Sequence, residues 1–340
     1  MKIAILNVYQ GSVERGAERV IIELGEKLKE KNTVSVFGGD KLPPKRWPYL
    51  WKLFIDPQGL YIFWWTFKLL SRIIKERFDV VIPTNSGWQP ALIRFITWLY
   101  GGKMVIIGHS GIGWDEINNL WSFPDVFIAP SSYSAEWARK VNPFISVEYI
   151  PNGVNLSDFS AKGSKINLKL KHPIVLCVGA LAPEKRLDLA VRAVAKLKDT
   201  SLLIIGRGQL KEVIKNLCEL KLKNRFKMVE SSFDDTSTYY RSVDIFTAPS
   251  SPRQSFELVV LEAMSTNLAV VANDDPIRRE IIGNAGMFVD PTDSDKYAKV
   301  LKSALKRNWG NSPRTQAEKF SWEIIANKYE SVFNKLLRKE

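Results

Sequence analysis

The amino-acid sequence predicts an α/β protein of two doubly wound, parallel-sheet domains, and three observations carry that reading. Short β-rich apolar runs recur along all 340 residues, helical apolar periods stand between several of them, and the alternation pauses once, over residues 155–172, before it resumes. Runs that are apolar on both faces and alternate with helices belong to a parallel sheet covered on both sides.

In the first half the runs are KIAILNV (2–8), TVSVF (33–37), VVIPT (80–84), MVIIGH (104–109), VFIAPS (126–131) and VEYIPN (147–152). After the first of them, Ala17, Val20, Ile21, Leu24 and Leu28 fall on one helical face, which predicts a helix over 17–30. The segment NLSDFSAKGSKINLKLKH (155–172) is polar and basic without an apolar period and reads as a linker. The scheme then repeats with IVLCVGA (174–180), LLIIG (202–206), FKMV (226–229), IFTAPS (245–250), LAVVAN (268–273) and MFVD (287–290). The expected domains are therefore 1–160 and 173–320, with ligands in the cleft between them. In the tail 321–340, Trp322, Ile325, Tyr329, Phe333 and Leu336 have helical spacing, and we expect a closing helix that packs back on the first domain.

Composition narrows the chemistry. With 45% hydrophobic and 25% charged residues the chain has ordinary globular usage, which excludes disorder and low-complexity arrays. Two cysteines, Cys177 and Cys218, build neither a disulfide scaffold nor a cysteine-rich zinc site, so a reducing compartment is expected. The start MKIAILNVYQ reads as a strand and not as a signal peptide, and no stretch reaches the 18 or more apolar residues of a membrane span. The expected location is cytoplasmic.

A formal charge of +13 calls for an anionic partner, and nucleic acid, lipid headgroups and a phosphorylated substrate each satisfy it. No nucleic-acid module is recognised, so nucleic acid is not the expected partner. Residues 41–77 hold Lys41, Lys45, Arg46, Lys52, Lys68, Arg72, Lys75 and Arg77 against Asp56 and Glu76, together with Trp47, Trp51, Trp64 and Trp65. Basic residues interleaved with tryptophan suit an anionic membrane surface, which would make the protein peripheral on the inner face. The other reading is a helix pair packed on the sheet with its aromatics in the core.

Six segments in fixed order carry a resemblance: RGAERVIIEL (15–24), IPNGVNLSDF (150–159), VGALAPEKRLDLAVRAV (178–194), LLIIGRG (202–208), VDIFTAPS (243–250) and SFELVVLEAMSTNLAVVAND (255–274). Along nearly its whole length the chain resembles the retaining glycosyltransferases of family four. The resemblance implies the GT-B fold of two facing Rossmann-like domains and a hexose moved from a nucleotide-diphospho-sugar (GDP-, UDP- or ADP-linked) to an acceptor hydroxyl. A glycan or glycolipid would be the acceptor. It implies front-face attack with retention, in which the leaving phosphate helps take the acceptor proton, and no metal or other cofactor. No acidic metal dyad or cysteine-histidine cluster stands in the sequence. A nucleotide-sugar epimerase of the same fold is a rival, and so is a catalytically weak sugar-nucleotide or lipid-binding protein.

Candidate site residues follow. Gly11 and Gly16 flank the start of the first helix, where backbone amides bind a diphosphate or where glycine simply serves a tight turn; the resemblance gives Gly16 the diphosphate. Lys185 lies just past the strand IVLCVGA, and the resemblance makes it a cation on the leaving diphosphate. The arginine that commonly accompanies it is absent, with Ala180 at that position, and Arg186 replaces a common glycine, so Arg186 or another cation shares the load. In the segment 254–262, read as the start of a buried helix, Glu262 matches the second glutamate of the family's E-x7-E motif and is assigned to the ribose diol. Its first glutamate is Gln254 here, and Glu257 stands where a glycine is usual. Either Gln254 still holds sugar hydroxyls or Glu257 takes part of that role. Backbone amides of Ser255, Phe256, Glu257 and Leu258 are the remaining donors at this helix start. His109 closes the strand MVIIGH, and the resemblance puts a histidine there near the donor sugar; Asp115 and Glu116 follow in the same loop. The base is read by loops with little signature, around Glu230–Phe233.

Overall fold

The computed structural model describes residues 1–340 apart from 12–15, 40, 49, 232, 253–255 and 339–340. The chain forms two compact units, Met1–Gly153 with Trp322–Glu340, and Val154–Ser321.

In the first unit the order is β1 (Lys2–Asn7), α1 (Gly16–Lys29), β2 (Thr33–Gly38), α2 (Pro57–Glu76), β3 (Val80–Pro83), α3 (Trp88–Tyr100), β4 (Lys103–Ile107), α4 (Trp114–Trp121), β5 (Val126–Ala129), α5 (Ser132–Val141) and β6 (Val147–Tyr149). The second unit runs β7 (Ile174–Val178), α6 (Leu187–Ala195), β8 (Ser201–Ile205), α7 (Lys211–Leu222), β9 (Phe226–Val229), α8 (Phe233–Tyr240), β10 (Ile245–Ala248), α9 (Leu258–Ser265), β11 (Val270–Asn273), α10 (Pro276–Ile282), β12 (Gly286–Val289), α11 (Ser294–Lys306) and α12 (Ser312–Glu318). Helix α13 (Trp322–Leu337) returns to the first unit.

Each apolar run of the sequence holds or overlaps one strand. The sheets are six-stranded, in orders β2-β1-β3-β4-β5-β6 and β12-β11-β10-β7-β8-β9, and the pairs are parallel, for example Ile3↔Val34 and Val175↔Leu202. Strand order reverses between β1 and β3 in one sheet and between β7 and β10 in the other. Crevices at the carboxyl ends of strands at such reversals are where doubly wound folds bind ligands.

Period-two alternation builds the second core. Ile174, Leu176, Leu203, Ile205 and Phe246 are buried on one face of the sheet, and Val175, Cys177, Leu202, Ile204 and Ile245 on the other. Burial pushes the Cys218 thiol up to about 12 and the Cys177 thiol further, so both cysteines are inert packing residues. The segment expected as a linker instead belongs to the second unit. Phe159 and Leu168 are buried in its core, and Ile166 N–H donates to Ser242 Oγ at 2.8 Å. Single apolar anchors without a period hold this stretch, which is why no pattern announced it.

Helix α13 lies on α1: Lys31 pairs with Glu330 at 3.0 Å and Lys27 with Glu323 at 3.0 Å. Trp322 donates its indole N–H to Glu23, and its ring packs so tightly on Gly153 that a Cβ there would run into it. That glycine is needed for close approach.

Candidate active site

At the carboxyl end of β7 the chain enters Gly179–Ala182 and then a short 3-10 turn, Pro183–Lys185. Gly206, after β8, permits this loop to lie close, because a Cβ at Gly206 would run into the Gly179 carbonyl. Beyond β10 the backbone of Ser251 donates to the Glu184 carbonyl at 2.8 Å, which ties the two loops together across the strand reversal. Arg186 adopts a left-handed conformation, φ +50°, where glycine is the relaxed choice.

Four charged side chains converge here. Lys185 Nζ lies 2.9 Å from Glu257 Oε1, Arg278 Nη2 lies 3.0 Å from Glu257 Oε2, and Arg278 Nη1 lies 3.2 Å from Asp275 Oδ2. Arg278 also donates from Nη2 to the Ser251 carbonyl at 3.3 Å. The side chains of Glu257 and Arg278 are 1% and 0% exposed, whereas that of Lys185 keeps 19%. Burial pushes the Glu257 carboxyl up, but Lys185, Arg278 and a hydrogen bond with Ser250 more than offset this and hold it at about 2. Asp275 caps α10 by accepting from Ile277 and Arg278 N–H, each at 3.1 Å. Buried charges persist only when paired this fully.

Helix α9 starts at Leu258, with Glu257 as its cap residue, so the expected helix over 254–262 begins later than read. The arrival of Glu257 at the buried ion pairs, in extended geometry, fixes that boundary. Glu262 is consequently in the second turn. It is buried and accepts a hydrogen bond from Tyr240 Oη at 2.8 Å. Phe256 is half-buried against the core and Leu258 half-buried at the start of the helix. Gln254 and Ser255 lie outside the described residues.

In the first unit Gly16 is the exposed first residue of α1. His109 lies two residues past β4 and is half-buried; burial lowers its imidazole to about 4. Glu116 is buried on α4, where Oε1 accepts the Ser110 N–H at 2.8 Å and Oε2 accepts from Asn119 Nδ2 at 2.9 Å. Burial raises its carboxyl to about 7 against the pull of those hydrogen bonds. Glu116 thus pins the turn after β4, while Asp115 pairs with Arg46 at 3.2 Å. Among the base-reading candidates, Glu230 pairs with Lys211 at 2.8 Å and Arg207 at 3.2 Å, and Ser232 lies outside the described residues.

Residues 15–158 match the family "Glycosyltransferase Family 4" and residues 172–307 match "Glycosyl transferases group 1", which between them take in most of the chain. This chain belongs to family four of the glycosyltransferases. Solved structures agree on the GT-B fold: sucrose-phosphate synthase from Thermosynechococcus elongatus superposes with a TM-score of 0.81 at 19% identity, covering 100% of both chains. HepE of Anabaena, solved with UDP, gives 0.75 at 17% identity over 98% of this chain and 100% of its own. Among curated relatives, a phosphatidyl-myo-inositol mannosyltransferase of Mycolicibacterium smegmatis is 28% identical over 221 residues, 61% of this chain and 56% of that protein. An N-acetylgalactosaminyltransferase of Campylobacter jejuni that acts on a diphospho-undecaprenol-linked sugar is 29% identical over 189 residues, 53% and 51%. The chain therefore matches little more than half the length of these curated relatives.

For a family-four chain, sequence reasoning missed Arg278 and Asp275. Their only signal was Asp-Pro at a helix start, which marks a cap and not the partner of a distant glutamate.

Proposed function

We propose that this chain is a retaining, metal-independent glycosyltransferase that moves a hexose from a nucleotide-diphospho-sugar to the hydroxyl of a lipid-linked acceptor. The observation that carries the reading is the Lys185–Glu257–Arg278 cluster at the strand reversal of the second sheet, where a partly exposed ammonium stands beside a ligand crevice of the doubly wound kind. Lys185 would meet the diphosphate, Arg186 would sit next to it, and Glu262 would take the ribose diol. Gly16, at the start of α1, and His109, just past β4, are the donor contacts assigned in the first unit. In front-face attack the leaving phosphate accepts the acceptor proton, so no side chain is required as general base.

The lipid acceptor is supported by the acceptors named for the mannosyltransferase and N-acetylgalactosaminyltransferase relatives and by one face of the first unit. Helices α2 and α3 pack together, and their outer sides expose Leu60, Trp64, Phe67, Phe95, Trp98 and Leu99, with Trp98 70% accessible. Lys68 and Lys75 are exposed on α2 and Arg77 just past its end. Apolar rings rimmed by cations match an anionic bilayer, and this face includes α3, which lies beyond the 41–77 segment. No described helix is long and apolar enough to cross a membrane.

The test is release of nucleoside diphosphate from a panel of sugar nucleotides in the presence of lipid extract, with and without chelator. Turnover that survives chelator and falls at least ten-fold in Lys185→Ala supports the proposal. Loss in chelator restored by manganese or magnesium would refute metal independence.

A further inference from the structure

The proposed diphosphate contact rests on Lys185, and the surroundings of that side chain deepen the reading on which this inference depends. An ammonium carries three N–H donors on a flexible stem, so it holds a phosphate in one place only when something fixes it. Here Glu257 Oε1 takes one donor at 2.9 Å. The other carboxylate oxygen is gripped by Arg278 through Nε at 3.2 Å and Nη2 at 3.0 Å, and Arg278 is in turn anchored by Asp275 and the Ser251 carbonyl. The chain of contacts runs from a fully buried guanidinium to a partly exposed ammonium without a loose link.

We propose that Glu257 and Arg278 are positioning residues for Lys185, holding its ammonium at the carboxyl ends of β7 and β10 with two of its donors left for a diphosphate. Charge fits the role. Glu257 alone would neutralise Lys185, but it is shared with Arg278, while the Asp275 carboxylate is also met by Asn273 Nδ2 at 2.8 Å and by the first N–H groups of α10. The four side chains sum to zero net charge, and Lys185 is the cation among them that keeps exposure, at 19% against 0% for Arg278. The sequence places Ala180 in the loop after β7 and Glu257 at the cap of α9, and the Glu257 carboxylate comes with a buried arginine to hold it. Glu257 acts through Lys185 and does not touch the sugar in this account.

The experiment compares binding of UDP, GDP and ADP with that of the matching nucleoside monophosphates, by calorimetry, in the parent and in the double variant Glu257→Gln/Arg278→Met, which removes the Glu257–Arg278 pair together; Asp275 loses Arg278 but keeps Asn273 Nδ2 and the first N–H groups of α10 as donors. The expected result is a folded double variant whose preference for diphosphate over monophosphate falls about ten-fold while monophosphate affinity is unchanged, as for loss of one charge-assisted contact. A folded double variant that keeps the parent's preference overturns the proposal and leaves the donor-site reading standing. A parent that binds no nucleotide overturns both. A second readout needs no change at 257: in the parent, the Lys185 ammonium resonance, assigned by its loss in Lys185→Arg, should be slow in proton exchange before and after UDP is added. Fast exchange in the free protein overturns the proposal.

Discussion

Arg278 is the largest fully buried side chain of the molecule among the described residues, and a guanidinium at that depth survives only because Glu257 and Asp275 both face it. Replacing it by leucine would leave Asp275 without its cation and Glu257 with Lys185 alone. Breaking a buried pair by removing one partner costs about 3–5 kcal/mol, and urea unfolding of Arg278→Leu should show a loss of that order. A change below about 1 kcal/mol would mean that water already serves the two carboxylates. At this scale the sequence was legible only in part. Lys185 and Glu262 were singled out because they sit in matching motifs, but a pair 21 residues apart such as Glu257 and Arg278 has no local pattern, since only the strand order brings α10 beside the cap of α9.

The β4–α4 turn shows how an element sets proton affinity. Glu116 is carried by α4 under the turn it hydrogen-bonds, and its carboxyl, raised to about 7, binds protons in the folded state that it releases in the unfolded one from about pH 4.5 upward. That difference lowers stability progressively as pH rises from about 4.5 to 7. His109 works the other way: its imidazole, lowered to about 4, stays neutral when the unfolded chain takes up a proton, so stability falls as pH drops from about 6.5 to 4. The neighbouring Asp115 adds to the rise of Glu116. Glu116→Gln should therefore gain stability relative to the parent across pH 4.5–7 and hold a constant difference above that window, as read by urea unfolding at half-unit steps. Parallel curves for parent and variant through the window would contradict the raised carboxyl. Elements themselves were the most legible part of the sequence, because strands buried on both faces are written as continuous apolar runs. The exceptions were α9, whose start depends on where Glu257 is held, and the 155–172 stretch, whose anchors Phe159 and Leu168 stand alone.

For the molecule as a whole, the strand reversals of two Rossmann-like units supply the ligand crevices, and the proposed contact with a bilayer is one outer face of the first unit. Sequence reasoning located that face on 41–77 by charge, but Arg46 is occupied by Asp115 and Gln58, and much of the exposed apolar surface comes from α3. Trp64→Ala/Phe67→Ala/Trp98→Ala should abolish pelleting with anionic vesicles, while Lys68→Glu/Lys75→Glu should weaken it in low salt, each basic residue near the surface being worth about 1 kcal/mol. Equal pelleting of parent and both variants would remove the face from the account. The central claim, that this chain transfers a sugar to a lipid-linked acceptor, is tested most directly by following label from a sugar-nucleotide panel into the organic phase of a lipid extract. The account predicts that at least one donor labels lipid with the parent and that labelling falls ten-fold or more with Lys185→Ala; a folded parent that labels lipid from none of the UDP-, GDP- or ADP-sugars, or a Lys185→Ala protein that labels as fast as the parent, would contradict it.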